Sequence, residues 1–174
     1  MTVRPWDPAG AFRILDAHGV QYVVIGGLAA SLLGSTSVTD DTDICYERSE
    51  DNLERLASAL LDMNARLRGV TDDVPFILDA KTLKAGHNFT FATEFGSLDC
   101  LGKPAGVEGY DELVRNAVWK QVHGMRVPVC SLRDLMTMKR AAGRPVDLRE
   151  LEILGALEQE IEDQEERGND DARD

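Results

Sequence analysis

No stretch of this 174-residue sequence approaches the roughly 18 consecutive apolar residues that a membrane-spanning helix needs. The opening segment, Met1-Thr2-Val3-Arg4-Pro5-Trp6-Asp7, has no apolar run of the secretory kind, so no signal peptide is expected. Cysteine is scarce. Cys45, Cys100 and Cys130 fall in three separate apolar stretches without metal-ligand spacing, and are expected to be reduced core thiols of a cytoplasmic protein. Histidine is equally sparse: His18 and His123 each precede a glycine at a predicted turn, and His87 stands alone. No Ser-His-Asp or Cys-His order stands out, and neither an internal repeat nor an interdomain linker is visible. Trp6 and Trp119 are read as core or edge packing.

Positive charge is also in short supply. Nineteen Lys and Arg face 31 Asp and Glu, a net charge of −12, which argues against sequence-independent duplex binding. A local basic groove for a tRNA end stays open, with Arg115, Lys120, Arg126, Lys139, Arg140 and Arg144 as its candidate members. The negative charge is uneven. Residues 158–174 carry nine acids and two arginines, a balance of −7, against 22 acids and 17 bases over residues 1–157. The expected division is therefore a folded domain over 1–157 and an acidic, disordered tail over 158–174.

What is present is enough for one domain, with 43% hydrophobic residues and a helix–strand alternation. Asp7-Pro8 starts a helix predicted to run to Ala17. Gln21–Ile25 is a short buried strand, and Gly26-Gly27 turns the chain into a short apolar helix ending at Gly34. A strand over Asp41–Tyr46 follows. Ser49 with Asn52 opens an amphipathic helix that puts Leu53, Leu56, Ala57, Leu60 and Leu61 on one face, with its end expected near Leu67-Arg68-Gly69. Residues 70–86 read as loop with a short helix. Strands at 88–93 and 97–101 are joined by a tight turn, Lys103–Gly106 is a loop, and a helix covers Tyr110–Ala117. A hairpin turns at His123-Gly124, Ser131 caps a helix to Ala142, and a last helix runs from Val146 to near Glu162. The alternation predicts an α/β or α+β domain with a small mixed sheet flanked by helices, ending in C-terminal helices.

The chemistry concentrates in Thr39-Asp40-Asp41-Thr42-Asp43-Ile44. On a strand, Asp41 and Asp43 point to one face and Asp40 to the other. Magnesium takes hard oxygen ligands, commonly one or two carboxylates plus phosphates and waters. Two such ions about 4 Å apart clamp the attacking and leaving oxygens of an in-line phosphoryl displacement. Upstream, Gly26-Gly27 opens a helix, where free N–H groups and the helix dipole attract phosphate and glycine allows close approach. Later, Asp99 sits among apolar Leu98, Cys100 and Leu101, where a buried carboxylate needs a cation or takes up a proton.

In order along the chain, Ile25-Gly26-Gly27-Leu28-Ala29, Val38 to Ile44, Phe95 to Leu101 and Leu135 to Leu148 resemble the nucleotidyltransferase superfamily of polymerase-β-like folds. The likeness spans roughly residues 10–155 and is similar, within that superfamily, to the AbiEii- and MenT-type toxin nucleotidyltransferases. It implies a magnesium-dependent enzyme, of two-metal type, that moves a nucleoside monophosphate from a nucleoside triphosphate to an acceptor hydroxyl and releases pyrophosphate. Asp41, Asp43 and Asp99 would be its catalytic metal ligands. Gly26 and Gly27 would seat the triphosphate, with Lys139 and Arg144 on the phosphates. Relatives often have Ser where Gly27 stands, a hydroxyl that Ser31, Ser35 or Ser37 could replace. They also carry Arg at the place of Ser37, a departure that leaves activity open. The acceptor could be a tRNA end, a protein or a small molecule. The alternative reading is a catalytically weak or idle nucleotidyltransferase-like protein acting as a toxin–antitoxin component, with a cognate antitoxin as partner.

Overall fold

The computed structural model describes residues 5–71, 73 and 75–171. Helix α1 (Pro8–Ala17) starts as its sequence suggests: the Asp7 carboxylate accepts from the Gly10 N–H at 2.9 Å and Pro8 occupies the first helical position. Strand β1 (Tyr22–Ile25) is buried along its whole length and leads directly into α2 (Gly26–Leu32). Strand β2 (Asp41–Tyr46) follows, then α3 (Glu50–Asp62), with Ser49 Oγ accepting from the Asn52 N–H.

Helix α3 stops five residues short of the expected end. Asn64 adopts a left-handed φ of 51°, the Ala65 N–H bonds to the Leu60 carbonyl at 2.9 Å, and the Asn64 N–H bonds to the Leu61 carbonyl at 3.0 Å. That pair of bonds is a Schellman termination, and asparagine tolerates the left-handed position better than most residues. The residues freed by it, Arg66–Leu67, form an edge strand, β3.

The remaining elements are α4 (Ala80–Ala85), β4 (Asn88–Thr93), β5 (Gly96–Leu101), α5 (Tyr110–Asn116), β6 (Val118–Val122), β7 (Met125–Val129), α6 (Leu132–Ala142) and α7 (Pro145–Asp171). The β6–β7 turn uses positive φ at His123 and Gly124, the geometry of a tight hairpin. Helix α7 runs past the expected end near Glu162. Its distal half has no proline, is rich in Glu and Gln, and carries an i,i+4 bond from Gln159 to Asp163 at 2.9 Å, all compatible with continued helix. The segment expected as a tail lies on this helix as far as Asp171, and residues 172–174 are outside the described residues, as are Met1–Arg4 at the other end.

The seven strands form one mixed sheet in the order β3-β4-β5-β2-β1-β7-β6. β1 pairs antiparallel with β2 and parallel with β7, while β2 pairs parallel with β5. The register sets Thr42 against Leu98 and Ile44 against Cys100 on one face of β2 and β5. Those four side chains are at most 1% exposed, so this face belongs to the core. The Trp6 indole N–H donates to Thr42 Oγ1 at 3.1 Å, satisfying a hydroxyl that burial would otherwise penalise. The other face of the same strands carries Asp41, Asp43 and Asp99. All three cysteines are free and buried, as expected. Among the described residues no helix is long and apolar enough to cross a membrane.

Candidate active site

The sheet register brings the carboxylates together. Asp43 is the register partner of Asp99 across β2 and β5, and of Ile25 across β2 and β1. Asp41 lies two residues before Asp43 and therefore on the same face. Directly beyond Ile25, Gly26 takes φ +69°, and a Cβ built on it would lie 2.4 Å from Asp43 Oδ2. Only glycine meets both demands, the left-handed backbone and the close carboxylate. Gly27 is close-packed as well: a Cβ there would be 3.0 Å from Thr39 Cβ. Ile25 precedes α2 with no side chain capping the helix start, which leaves its first N–H groups without a side-chain acceptor.

A cleft of about 480 Å³ lies over this face. Gly26, Gly27, Asp43 and Asp99 form one side of it, and Lys139, Arg144 and Asp147 another. Phe89, Leu101, Leu135 and Met138 contribute an apolar wall, with Asn88 and Thr90 as neutral polar groups. Helices α2 and α6 are packed together, and the Gly26-Gly27 turn and Lys139 both line the one cleft.

The electrostatics are those of crowded anions. Burial raises the Asp43 carboxyl to about 7, and the neighbouring Asp99 and Asp41 charges push in the same direction, against Lys139 and Arg68. Asp99 is also raised, mainly by burial, with the Arg68 guanidinium pulling it back. Arg68 provides the direct compensation. One of its terminal nitrogens donates to Asp99 Oδ1 at 2.8 Å and Oδ2 at 3.1 Å, and the other to Asp41 Oδ1 at 3.5 Å.

Lys139 and Arg144 converge on the start of α7. The Asp147 side chain is fully buried. It accepts from Arg144 Nε at 2.7 Å, Arg144 Nη2 at 3.1 Å and the Arg144 backbone N–H at 3.2 Å. Lys139 Nζ lies 3.4 Å from Asp147 Oδ1 and forms a second ion pair with Glu150. The bonds from Arg144, ahead of the Lys139 charge, hold the Asp147 carboxyl below the usual carboxylate range. Arg144 is thus clamped in a bidentate geometry while remaining 68% exposed, so its outer edge is free to meet an anion.

Ser37 is placed differently from the other predicted site residues. Its hydroxyl accepts from Ser35 Oγ at 3.0 Å within the loop after α2, and it is not among the residues lining the cleft. Of the six candidate basic-groove residues, Lys139 and Arg144 line the cleft and Arg115, Lys120, Arg126 and Arg140 do not. Arg126 instead stacks on Trp119, 4.9 Å from its ring centre, and that tryptophan is 56% exposed on edge strand β6. His18 pairs with Asp62 at 2.6 Å on the surface.

Sequence reasoning missed Arg68. Its position past a two-residue edge strand leaves no periodicity to read, and it falls where the amphipathic helix was expected to end. The (i, i+3) spacing of Asp147 and Glu150 places them on one helix face, which lets both meet Lys139.

The carboxylate set fits a divalent cation by its chemistry: hard oxygen donors on one face, with Asp43 pushed up first by burial and then by the neighbouring Asp99 and Asp41 charges. Among the described residues, however, no three acidic, His or Cys side chains stand in metal-holding geometry. Arg68 lies between two of the three that would compose such a site.

No protein-family model matches the sequence, and no curated protein matches it. The structure is similar to solved ones. The lincomycin-bound lincosamide antibiotic adenylyltransferase LnuA superposes with a TM-score of 0.57 at 13% identity, covering 88% of this chain and 99% of that one. The antibiotic-resistance factor ANT(2'')-Ia gives 0.53 at 13% identity, covering 95% of each chain. A putative nucleotidyltransferase from Thermotoga maritima gives 0.51 at 16% identity, covering 90% of this chain and 91% of that one. The fold is therefore the one these nucleotidyltransferases share.

Proposed function

We propose that this protein is a magnesium-dependent nucleotidyltransferase that moves a nucleoside monophosphate from a nucleoside triphosphate to an acceptor hydroxyl, releasing pyrophosphate. The observation that carries the reading is the meeting, in one cleft, of Asp43 and Asp99 in register with the Gly26-Gly27 turn and with Lys139 facing them. Asp41, Asp43 and Asp99 would hold the magnesium. When bound, it would neutralise charge on the phosphates and lower the barrier to in-line displacement.

The chain's own groups account for the rest. The uncapped N–H groups beginning at Gly26-Gly27 seat phosphate oxygens, and glycine at both positions keeps the backbone close to them. Lys139 and the exposed edge of Arg144 stabilise negative charge as it collects on the leaving pyrophosphate. Asp147 fixes the direction of that arginine. The wall of Phe89, Leu101, Leu135 and Met138 excludes water and offers an apolar surface to the base. Catalysis then rests on positioning and electrostatics, as in other phosphoryl transfers. Asp99, the carboxylate beside Asp43, would accept the proton of the acceptor hydroxyl.

A tRNA end, a protein hydroxyl and a small-molecule hydroxyl are the acceptor classes this site chemistry accommodates. Nothing in the cleft or in the likenesses supports a cognate antitoxin partner. The test is incubation of the protein with α-labelled triphosphates and each acceptor pool separately. Label should pass to one pool in the presence of magnesium. Asp41→Ala should abolish transfer while leaving the protein folded, because Asp41 is half exposed and contributes little to the core. Transfer that survives undiminished in Asp41→Ala would sink the mechanism.

A further inference from the structure

Arg68 has no part in the chemistry above, yet its position is closely determined. Its backbone N–H donates to the Thr90 carbonyl at 2.9 Å. Thr90 is the register partner of Asp99, and Asp99 of Asp43. Thr90, Asp99 and Asp43 thus form one row across β4, β5 and β2, and Arg68, just past the end of β3, continues it. The guanidinium passes over Thr90, takes both oxygens of Asp99 and reaches Asp41. Lys139 and Arg144, the other cations whose charge reaches Asp43, are committed to acids of α7, Lys139 to Asp147 and Glu150 and Arg144 to Asp147. Among the described residues, Arg68 is therefore the side chain that directly pairs Asp41 and Asp99.

We infer that Arg68 is a resident counter-ion that holds Asp41 and Asp99 until a divalent cation displaces it. The inference rests on the metal-binding reading of these carboxylates. An Arg68 nitrogen shared between both Asp99 oxygens occupies lone pairs that a hard cation would take, so the two compete for that carboxylate. Arg68 can leave without unfolding anything: its side chain is 38% exposed, and the following Gly69, at φ +76°, has open space on its Cβ side. Because each divalent ion must break these contacts, the apparent metal affinity is lowered by whatever factor they are worth. Ser37 stands where the resembled family has an arginine, and Arg68 brings one to the carboxylates from beyond the end of β3.

The experiment is Mn²⁺ binding to the full-length protein, followed by the electron paramagnetic resonance signal of free Mn²⁺, for wild type, Arg68→Gln, Arg68→Lys and Asp41→Asn/Asp43→Asn. Arg68→Gln should bind Mn²⁺ about fivefold more tightly than wild type, the scale of a half-exposed ion pair. Arg68→Lys, which keeps charge but loses the bidentate grip, should tighten binding by a smaller factor and serves if the glutamine variant fails to fold. In EDTA the Arg68→Gln melting temperature should fall below that of wild type, and added Mn²⁺ should close the gap. If binding is lost in the double aspartate variant but is unchanged or weakened in both Arg68 variants, the counter-ion role is overturned and the metal reading stands. If neither wild type nor Arg68→Gln binds Mn²⁺ in a carboxylate-dependent way, both fall.

Discussion

Replacing Gly26 by alanine tests whether the turn and the carboxylate are built against each other. Two costs add at this position. The first is conformational: an L-residue held at φ +69° loses about 1–2 kcal/mol, partly offset by the smaller entropy of the unfolded chain. The second is steric. The new methyl carbon would sit 2.4 Å from Asp43 Oδ2, 2.8 Å from Cγ and 3.0 Å from Cβ. Asp43 is hemmed in by Asp99 on one side and Ile25 on the other, so moving it costs a further ~1–2 kcal/mol, the range of an overpacked core. Gly124 supplies the control, since it has φ +83° with nothing within 4 Å of its Cβ position. Gly124→Ala should cost about 1 kcal/mol and Gly26→Ala about 3 kcal/mol in urea unfolding. In an Asp43→Ala background, where only the contact to Cβ remains, the Gly26→Ala cost should drop by at least ~1 kcal/mol, a coupling energy readable from the double-mutant cycle. Equal costs in the two backgrounds would refute the claim that the Gly26 backbone is shaped around the Asp43 carboxylate.

Asn52→Ala should be among the more destabilising polar substitutions. The side chain is 2% exposed; it accepts from the Gln21 N–H at 2.7 Å and donates to the Gln21 and Glu47 carbonyls at 3.1 and 2.7 Å. Losing those bonds inside the fold should cost about 3 kcal/mol, seen as a lower urea midpoint with an unchanged slope. Asp147→Asn should cost about 2 kcal/mol at neutral pH, the value of hydrogen bonds to charged partners. Its pH dependence has a definite sign. The folded carboxyl of Asp147 lies below its unfolded value, so its contribution is complete above about pH 4 and disappears as pH falls through the folded value. Urea midpoints of wild type and Asp147→Asn should therefore differ at pH 7 and converge under acid conditions. A constant gap down to pH 2.5 would show that the Arg144 and Lys139 pairing is not what Asp147 contributes.

What was legible in the sequence was local. Asp7-Pro8, Ser49 and Ser131 announced helix starts because capping is written in three or four consecutive residues. Asp41 and Asp43 could be assigned to one face because a strand alternates with period two, and the nearby glycine pair marked the turn. The pairing of Asp43 with Asp99 could not be read that way. It depends on the parallel register of β2 and β5, which are separated by α3, β3, α4 and β4, and only the family resemblance pointed to Asp99. Helix α3 misled for a specific reason: apolar spacing continues through Leu61 and Met63, while the signal that ends the helix is a single Asn in a left-handed conformation. That one misplaced end concealed β3 and with it Arg68. Ser37 was marked by its alignment with a family arginine, yet the loop turns it onto Ser35 instead of the cleft. Lys139 and Arg144 were singled out as phosphate contacts, and in the structure both are already paired with acids of α7, which their sequence positions only partly disclose.

Equilibrium binding of ATP, CTP, GTP and UTP, with and without magnesium, to wild type and to the Asp41→Ala/Asp43→Ala double variant tests the central claim most directly. The account predicts that at least one triphosphate binds in a magnesium-dependent way and that the double variant loses this binding while staying folded. Folded wild-type protein that binds none of the four, or a double variant that binds as well as wild type, would contradict it.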